Sequence, residues 1–387
     1  MAQRKRLGIR FNFSYTTSTG AAIYFQNIIR SLDILPDERK PQVYVFVSPD
    51  APIDDIRSIN YPYMTISPIR YLPIWKRAIN RIYRSLSKGK NFNLINASTY
   101  NSEPLDGVIS LVIPSEDIAT RKQLIWIADL QMYHLPYNFT KREIEINKAL
   151  EERTVRGRHD IVLCSQWVID DFNRIFKGHL CKTHRLRFAT IHPEFSHIDF
   201  NTLQQKYVLN RPYFIVSNQF WVHKNHLAVF KAINQLKSVY PEILCAITGH
   251  PKIVSEKGKD YIQQLMDYFN KNELERHIRF LGLIPREEQL CLLNNSMAII
   301  QPSFFESWNT TVEDAKLLRK HIILSDLEVH REQIHENVYF FDPNNVDELA
   351  HCMTVFLKHE QMSFIDTGNY QDNVREFADT IVKMLDE

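Results

Sequence analysis

At 387 residues the chain is about twice as long as an ordinary domain, so two domains of similar size are expected, each able to bury its own core. With 44% hydrophobic and 24% charged residues it is globular in composition; it lacks any run of about eighteen apolar residues that would span a bilayer, and its net charge of +2 gives it no general attraction to nucleic acid. Cys164, Cys181, Cys245, Cys291 and Cys352 lack C-x-x-C spacing, which argues against a zinc site or a disulfide framework and for reduced, packed thiols in a cytoplasmic setting.

The N-terminal stretch enters an apolar run that Arg10 and Asn12 interrupt at once, so Leu7–Phe13 reads as a first strand and not as a signal peptide. Residues 14–20 then read as a hydroxyl-rich loop in which Thr19 and Gly20 are candidates to approach a phosphate or an acceptor, ahead of a helix from Ala21. Further strands are expected at Val43–Ser48, Leu94–Ala97, Val108–Pro114, Leu124–Ala128 and Ile161–Ser165. The alternation restarts at Tyr213–Asn218 and continues through Leu244–Thr248, Ile278–Gly282, Ala298–Pro302, Ile322–Ser325 and Tyr339–Phe341. Short apolar runs separated by amphipathic segments are the pattern of parallel sheets with crossover helices. A restart after an aperiodic stretch at 191–212 makes two of them. The expected fold is therefore α/β: two Rossmann-like, doubly wound parallel-sheet domains facing across a cleft, over residues 1–200 and 201–365, with 366–387 as a C-terminal helix able to pack back on the first domain. Such sheets bind ligands beyond the carboxyl ends of their strands, so function is sought in the residues that follow each strand.

Four such places carry chemistry. After the strand at 298–302 come Glu306, Ser307, Trp308, Asn309, Thr310 and Thr311, then Glu313 and Asp314 on the helix that follows. A helix start offers free N–H groups and a positive dipole end to a phosphate, and carboxylates accept paired hydrogen bonds from vicinal sugar hydroxyls. The competing reading is a capped helix with solvated acids. After the strand at 213–218 come Asn218, His223 and Lys224; a fixed cation there would stabilise a departing diphosphate. After the strand at 124–128 come Asp129 and His134, and after that at 244–248 the turn at Gly249, which borders a nucleotide if the second domain holds one.

The stretch from Glu306 to Asp314 resembles that of the retaining GT-B glycosyltransferases of the family 4 type, whose motif is Glu, seven residues, then Glu; here Asp314 stands at the second position with Glu313 beside it. The segment Phe220-Trp221-Val222-His223-Lys224-Asn225-His226 is similar to a Phe-Trp-x-His-Lys-Asn-His signature in a subgroup of that family, and Asp129–Pro136 is similar to its Asp-x-Gln-His-x-His-Leu-Pro loop, with Met132 in place of the first histidine. The resemblance implies a hexose transferred with retention from a GDP-, UDP- or dTDP-sugar to a saccharide or lipid-linked acceptor in bacterial surface-polysaccharide assembly. It puts Glu306 on the donor sugar, Lys224 on the pyrophosphate, and Asp314 on the ribose unless a small helix rotation gives that place to Glu313. Relatives carry an arginine where Asn218 and Gln219 stand, which leaves one phosphate contact unassigned, with His223 as a substitute donor. No Asp-x-Asp pair occurs, so neither a metal nor another cofactor is expected. The basic, aromatic stretch 70–90 has the composition of a peripheral membrane contact or, equally, of a helix packed on the first sheet. A nucleotide-sugar epimerase and a non-catalytic nucleotide-sugar-binding subunit are the alternatives.

Overall fold

The computed structural model of the chain describes residues 3–12, 15–49, 51–69, 75, 76, 78, 79, 82, 103–115, 117–249 and 256–387, with backbone alone at 15–19 and 256–258. The expected strand at 94–97 and nearly all of the basic stretch 70–90 lie outside these residues.

Among the described residues the strands form two all-parallel sheets. The first holds β1 (Arg6–Phe11), β2 (Gln42–Val47), β3 (Met64–Pro68), β4 (Gly107–Leu111), β5 (Gln123–Trp126), β6 (Asp160–Leu163) and β7 (Thr183–Arg185) in the order β3-β2-β1-β4-β5-β6-β7. The second holds β8 (Phe214–Ser217), β9 (Cys245–Thr248), β10 (Ile278–Gly282), β11 (Ile299–Gln301), β12 (Ile322–Ser325) and β13 (Val338–Phe341) in the order β10-β9-β8-β11-β12-β13. Both orders reverse direction at their first strand, which is the doubly wound arrangement the alternation implied. Central strands are covered by helices on both faces, and runs such as Ile161-Val162-Leu163 and Ile322-Ile323-Leu324 are wholly buried. Each such side chain contributes roughly 1.5–3 kcal/mol of burial.

Two edge strands escaped the sequence reading. β7 is Thr-His-Arg and β3 is only half buried, so neither carries the apolar run that marks the interior strands. A second difference lies at residues 15–20. They are not a loop: the helix Tyr15–Leu32 already begins there and includes Thr19 and Gly20. Its hydroxyl-rich first turns have poor helix propensity, but Phe25, Ile28, Ile29 and Leu32 further along are fully buried on the first sheet, and that packing outweighs propensity.

The chain crosses between the sheets twice, at 186–199 and again at 358–370. After the second crossing, the helix Gln371–Asp386 returns to the first domain and buries Val374, Phe377, Ala378, Ile381 and Leu385 in its core against the helix Tyr15–Leu32. Gly107 admits it: a Cβ there would stand 2.7 Å from Leu385 Cδ2.

Candidate active site

Both reversal points open into one cleft of about 670 Å³, the size of ordinary small-molecule sites. On the second domain it is reached from the ends of β8 and β11. The segment after β8 folds into a single turn, Val222–Lys224, and then into the helix His226–Leu236, with Asn225 between them in the left-handed region at φ 53°. Asn225 Nδ2 donates to the carbonyls of Pro302 (3.1 Å) and Pro343 (2.9 Å), and the Phe304 N–H donates to His223 O (2.7 Å), so this loop is fixed to the one after β11. The staple carries Lys224 Nζ to 2.6 Å from Glu306 Oε1.

Glu306 is 9% exposed, and its Oε1 also accepts from Gln301 Nε2 at 3.1 Å; Gln301 Oε1 in turn accepts from Asn218 Nδ2 at 2.6 Å. Burial would raise the Glu306 pKa, but the charge of Lys224 and its hydrogen bond overcome it and hold the carboxyl below the usual carboxylate range. His223 itself is pushed down to about 3, by burial first and by Lys224 second, so its imidazole is neutral at physiological pH.

The helix Thr310–Leu318 begins four residues beyond Glu306. Asn309 caps it, accepting from the Thr311 N–H at 2.9 Å, while its own N–H donates to Gln333 Oε1 (3.1 Å) and its amide meets His330 Nε2 (3.3 Å). Asn309 therefore shapes the helix start instead of projecting its amide freely into the cleft. The two candidate ribose acids separate clearly. Glu313 turns away, accepting from Gln333 Nε2 (2.8 Å), Tyr370 Oη (2.7 Å) and Lys316, and it does not line the cleft. Asp314 does line it, with Oδ1 at 2.5 Å from Arg286 and 2.9 Å from His192 Nε2. No helix rotation puts Glu313 in its place. Gly249 closes this end at φ 105°; a Cβ would stand 2.2 Å from the Asn218 carbonyl oxygen, so only glycine fits.

Ser307 and Trp308, expected on the donor, bond across the cleft to the first domain. Ser307 Oγ donates to Ala128 O, and Trp308 Nε1 donates to Phe188 O at 3.0 Å. The first contact brings Asp129 opposite Glu306. Asp129 is exposed to the cleft, yet partial loss of solvent between the two walls, and secondarily the Glu306 charge, raise its pKa, while the Gln131 N–H at 3.0 Å and Lys224 oppose the rise. His134 is placed elsewhere: its Nε2 lies 2.6 Å from Asp171 Oδ2, its ring packs against Trp167 and Phe305, and it does not line the cleft. The rest of the acceptor-side wall is largely apolar, with Ile23, Tyr24, Trp126 and Phe188, but it also carries Gln131, Asn138 and Glu143, with Gly20 at its edge.

Arg286, His192 and Gln301 were missed by the sequence reading. Arg286 and Gln301 stand at or just beyond the ends of β10 and β11, so the strand-end rule reaches them; His192 lies in an aperiodic crossing and carries no local signal.

Residues 199–376 match the family described as Glycosyl transferases group 1. No curated protein matches the chain. Among solved structures, the chain is similar to HepE of Anabaena, in a complex with UDP and glucose, at 13% identity and a TM-score of 0.63, covering 98% of this chain and 96% of that one. It is similar also to a UDP-forming trehalose-phosphate synthase of Burkholderia xenovorans, at 11% identity and a TM-score of 0.63, over 100% and 99%. A third is a glycosyltransferase of Rickettsia africae, at 13% identity and a TM-score of 0.61, over 99% and 93%. The chain has the GT-B fold, and its second sheet with the surrounding helices is the part that matches the group 1 glycosyl transferases.

Proposed function

We propose that the chain transfers a hexose, with retention and without a metal, from a nucleoside-diphosphate sugar to a hydroxyl of a saccharide or lipid-linked acceptor. The observation that carries this reading is the partly buried Lys224–Glu306 pair at the start of the helix Thr310–Leu318, with Asp129 facing it across the cleft. The diphosphate sits against Lys224 and the helix N-terminus, where positive charge is fixed before reaction and needs no reorganisation. Glu306 orients that lysine and accepts from a hydroxyl of the donor sugar; Asp314 accepts from the ribose.

In the transfer step the acceptor oxygen forms a bond to the anomeric carbon from the face that the diphosphate leaves. The bond from that carbon to the phosphate oxygen breaks with its electron pair going to the phosphate, and the acceptor proton passes to the departing oxygen. Asp129 holds the acceptor hydroxyl in line. Bacterial surface-polysaccharide assembly at the inner face of the cytoplasmic membrane is the setting the motif resemblance implies.

UDP in the names of the similar structures makes UDP-sugars the first donors to offer, with GDP- and dTDP-sugars beside them. Incubation with an α-linked donor and a panel of glycoside acceptors, followed by NMR of the product, should give an α-linked disaccharide and free nucleoside diphosphate. A β-linked product would end the retaining mechanism. Donor isomerised with no acceptor consumed would make the protein an epimerase, and no turnover of any donor would end the transferase reading.

A further inference from the structure

The leaving group of the proposed reaction carries about three negative charges, and one lysine with a helix end is a sparse reception for it. Among the described residues lining the cleft, the lysines and arginines are Lys224 and Arg286, and both belong to the second domain. They flank the same helix start. Lys224 pairs with Glu306 just before it, and Arg286 pairs with Asp314 in its second turn. Arg286 comes from the loop after β10, opens the helix Arg286–Asn295, and is oriented by Gln289 Oε1 at 2.8 Å; Gln289 also donates to Ser217 Oγ at the end of β8. The guanidinium is thus built into the reversal point from a different strand than the lysine.

We propose that Arg286 is a diphosphate-binding residue, the second cation of the site, and that its bond to Asp314 is exchanged when a donor enters. The inference rests on the proposed function. Asp314 keeps His192 as a partner at 2.9 Å, so it can turn an oxygen to the ribose hydroxyls without being left as an unpaired buried charge. The planar guanidinium then presents two parallel N–H donors to phosphate oxygens, a geometry that a lysine cannot reproduce. This restores from the loop after β10 the contact that Asn218 and Gln219 cannot make after β8.

The test is isothermal titration of the full chain with UDP, GDP, dTDP and ADP, then with the monophosphate of whichever binds, for the wild type, Arg286→Gln, Arg286→Lys and Asp314→Asn. Arg286→Gln should weaken the diphosphate at least ten-fold and the monophosphate less than three-fold, with Arg286→Lys recovering part of the difference. Asp314→Asn should weaken both nucleotides alike. Equal weakening of both by Arg286→Gln would overturn the proposal, because the arginine would then serve only to orient Asp314. Binding of none of the four diphosphates to the wild type would instead remove the proposed function, and the inference with it.

Discussion

The two walls of the cleft occupy equivalent positions in two sheets of the same winding, yet their chemistry is opposite. The wall from the second domain carries two pairs of charges joined before any ligand arrives: Lys224 with Glu306, and Arg286 with Asp314. The wall from the first domain is largely aromatic and aliphatic, with Tyr24 stacked on Trp126 at 4.0 Å between ring centroids and Asp129 set at its border. Two carboxylates confront each other there with pKa values moved in opposite directions: Glu306 below the usual range because cations outweigh burial, and Asp129, although exposed to the cleft, above it through partial loss of solvent between the walls and the Glu306 charge. Environments that drive a carboxylate pair apart in this way mark a division of roles. The winding supplies a place for a ligand, and in the proposed function the residues after each strand make one wall the receiver of charge and the other the receiver of a hydroxyl.

The sharpest way to break this contrast is Lys224→Ala. It should lower transfer by about 10²–10³-fold, measured as product formed from a saturating donor, with the circular dichroism spectrum unchanged. If Asp129→Asn weakened nucleotide binding as much as Lys224→Ala, the two walls would not be specialised. The expected outcome is a loss of transfer of about 10- to 100-fold with donor affinity preserved, the size of one charge-assisted hydrogen bond. The acid limb of the wild-type pH profile should also lie above that of an ordinary carboxylate and disappear in the variant.

Behind Asp129 the contrast extends to stability. Glu151 is 4% exposed, accepts from Tyr133 Oη at 2.8 Å, and is raised from 4.5 to about 7, by burial first and by Asp129 as well. Because the folded state binds its proton more tightly than the unfolded chain, its stabilisation is present below pH 4.5 and is lost as pH rises through about 7. Relative to Glu151→Gln, the wild type should therefore lose on the order of 2–3 kcal/mol between those pH values in urea unfolding. A flat difference would show that the acid is ionised throughout.

The smallest effect concerns the seam between the walls. Glu332 of the second domain accepts from the N–H groups of Gln166 (2.9 Å) and Trp167 (3.1 Å), capping the helix Gln166–Ile175 of the first. Glu332→Ala should cost about 1 kcal/mol, as the loss of a helix cap does, read as a lower melting temperature.

The strands β1, β2, β4, β5, β6 and β8–β13, the second sheet's edges β10 and β13 included, were legible as apolar runs, and their alternation with helical periods implied the parallel winding. The first sheet's edge strands β3 and β7 were not, since a strand buried on few sides need not be apolar. Glu306, Lys224 and Asp129, which line the cleft, were singled out by one rule, that doubly wound sheets keep their chemistry beyond the strand ends. His134 obeyed the same rule and was placed elsewhere, because Asp171, thirty-seven positions along the chain, engages its ring.

The order of apolar runs and polar strand ends along the chain determined the two sheets, their cleft and the segments that line it, because burial of periodic apolar faces is a local property of sequence. Which carboxylate of the neighbours Glu313 and Asp314 faces the cleft, and which cation meets it, only the tertiary structure decided. Gln333 and Tyr370 draw one acid to the far side, while Arg286 and His192 hold the other at the cleft. Those partners lie between 20 and 122 residues away, and no spacing along the chain records a hydrogen bond that folding alone brings about.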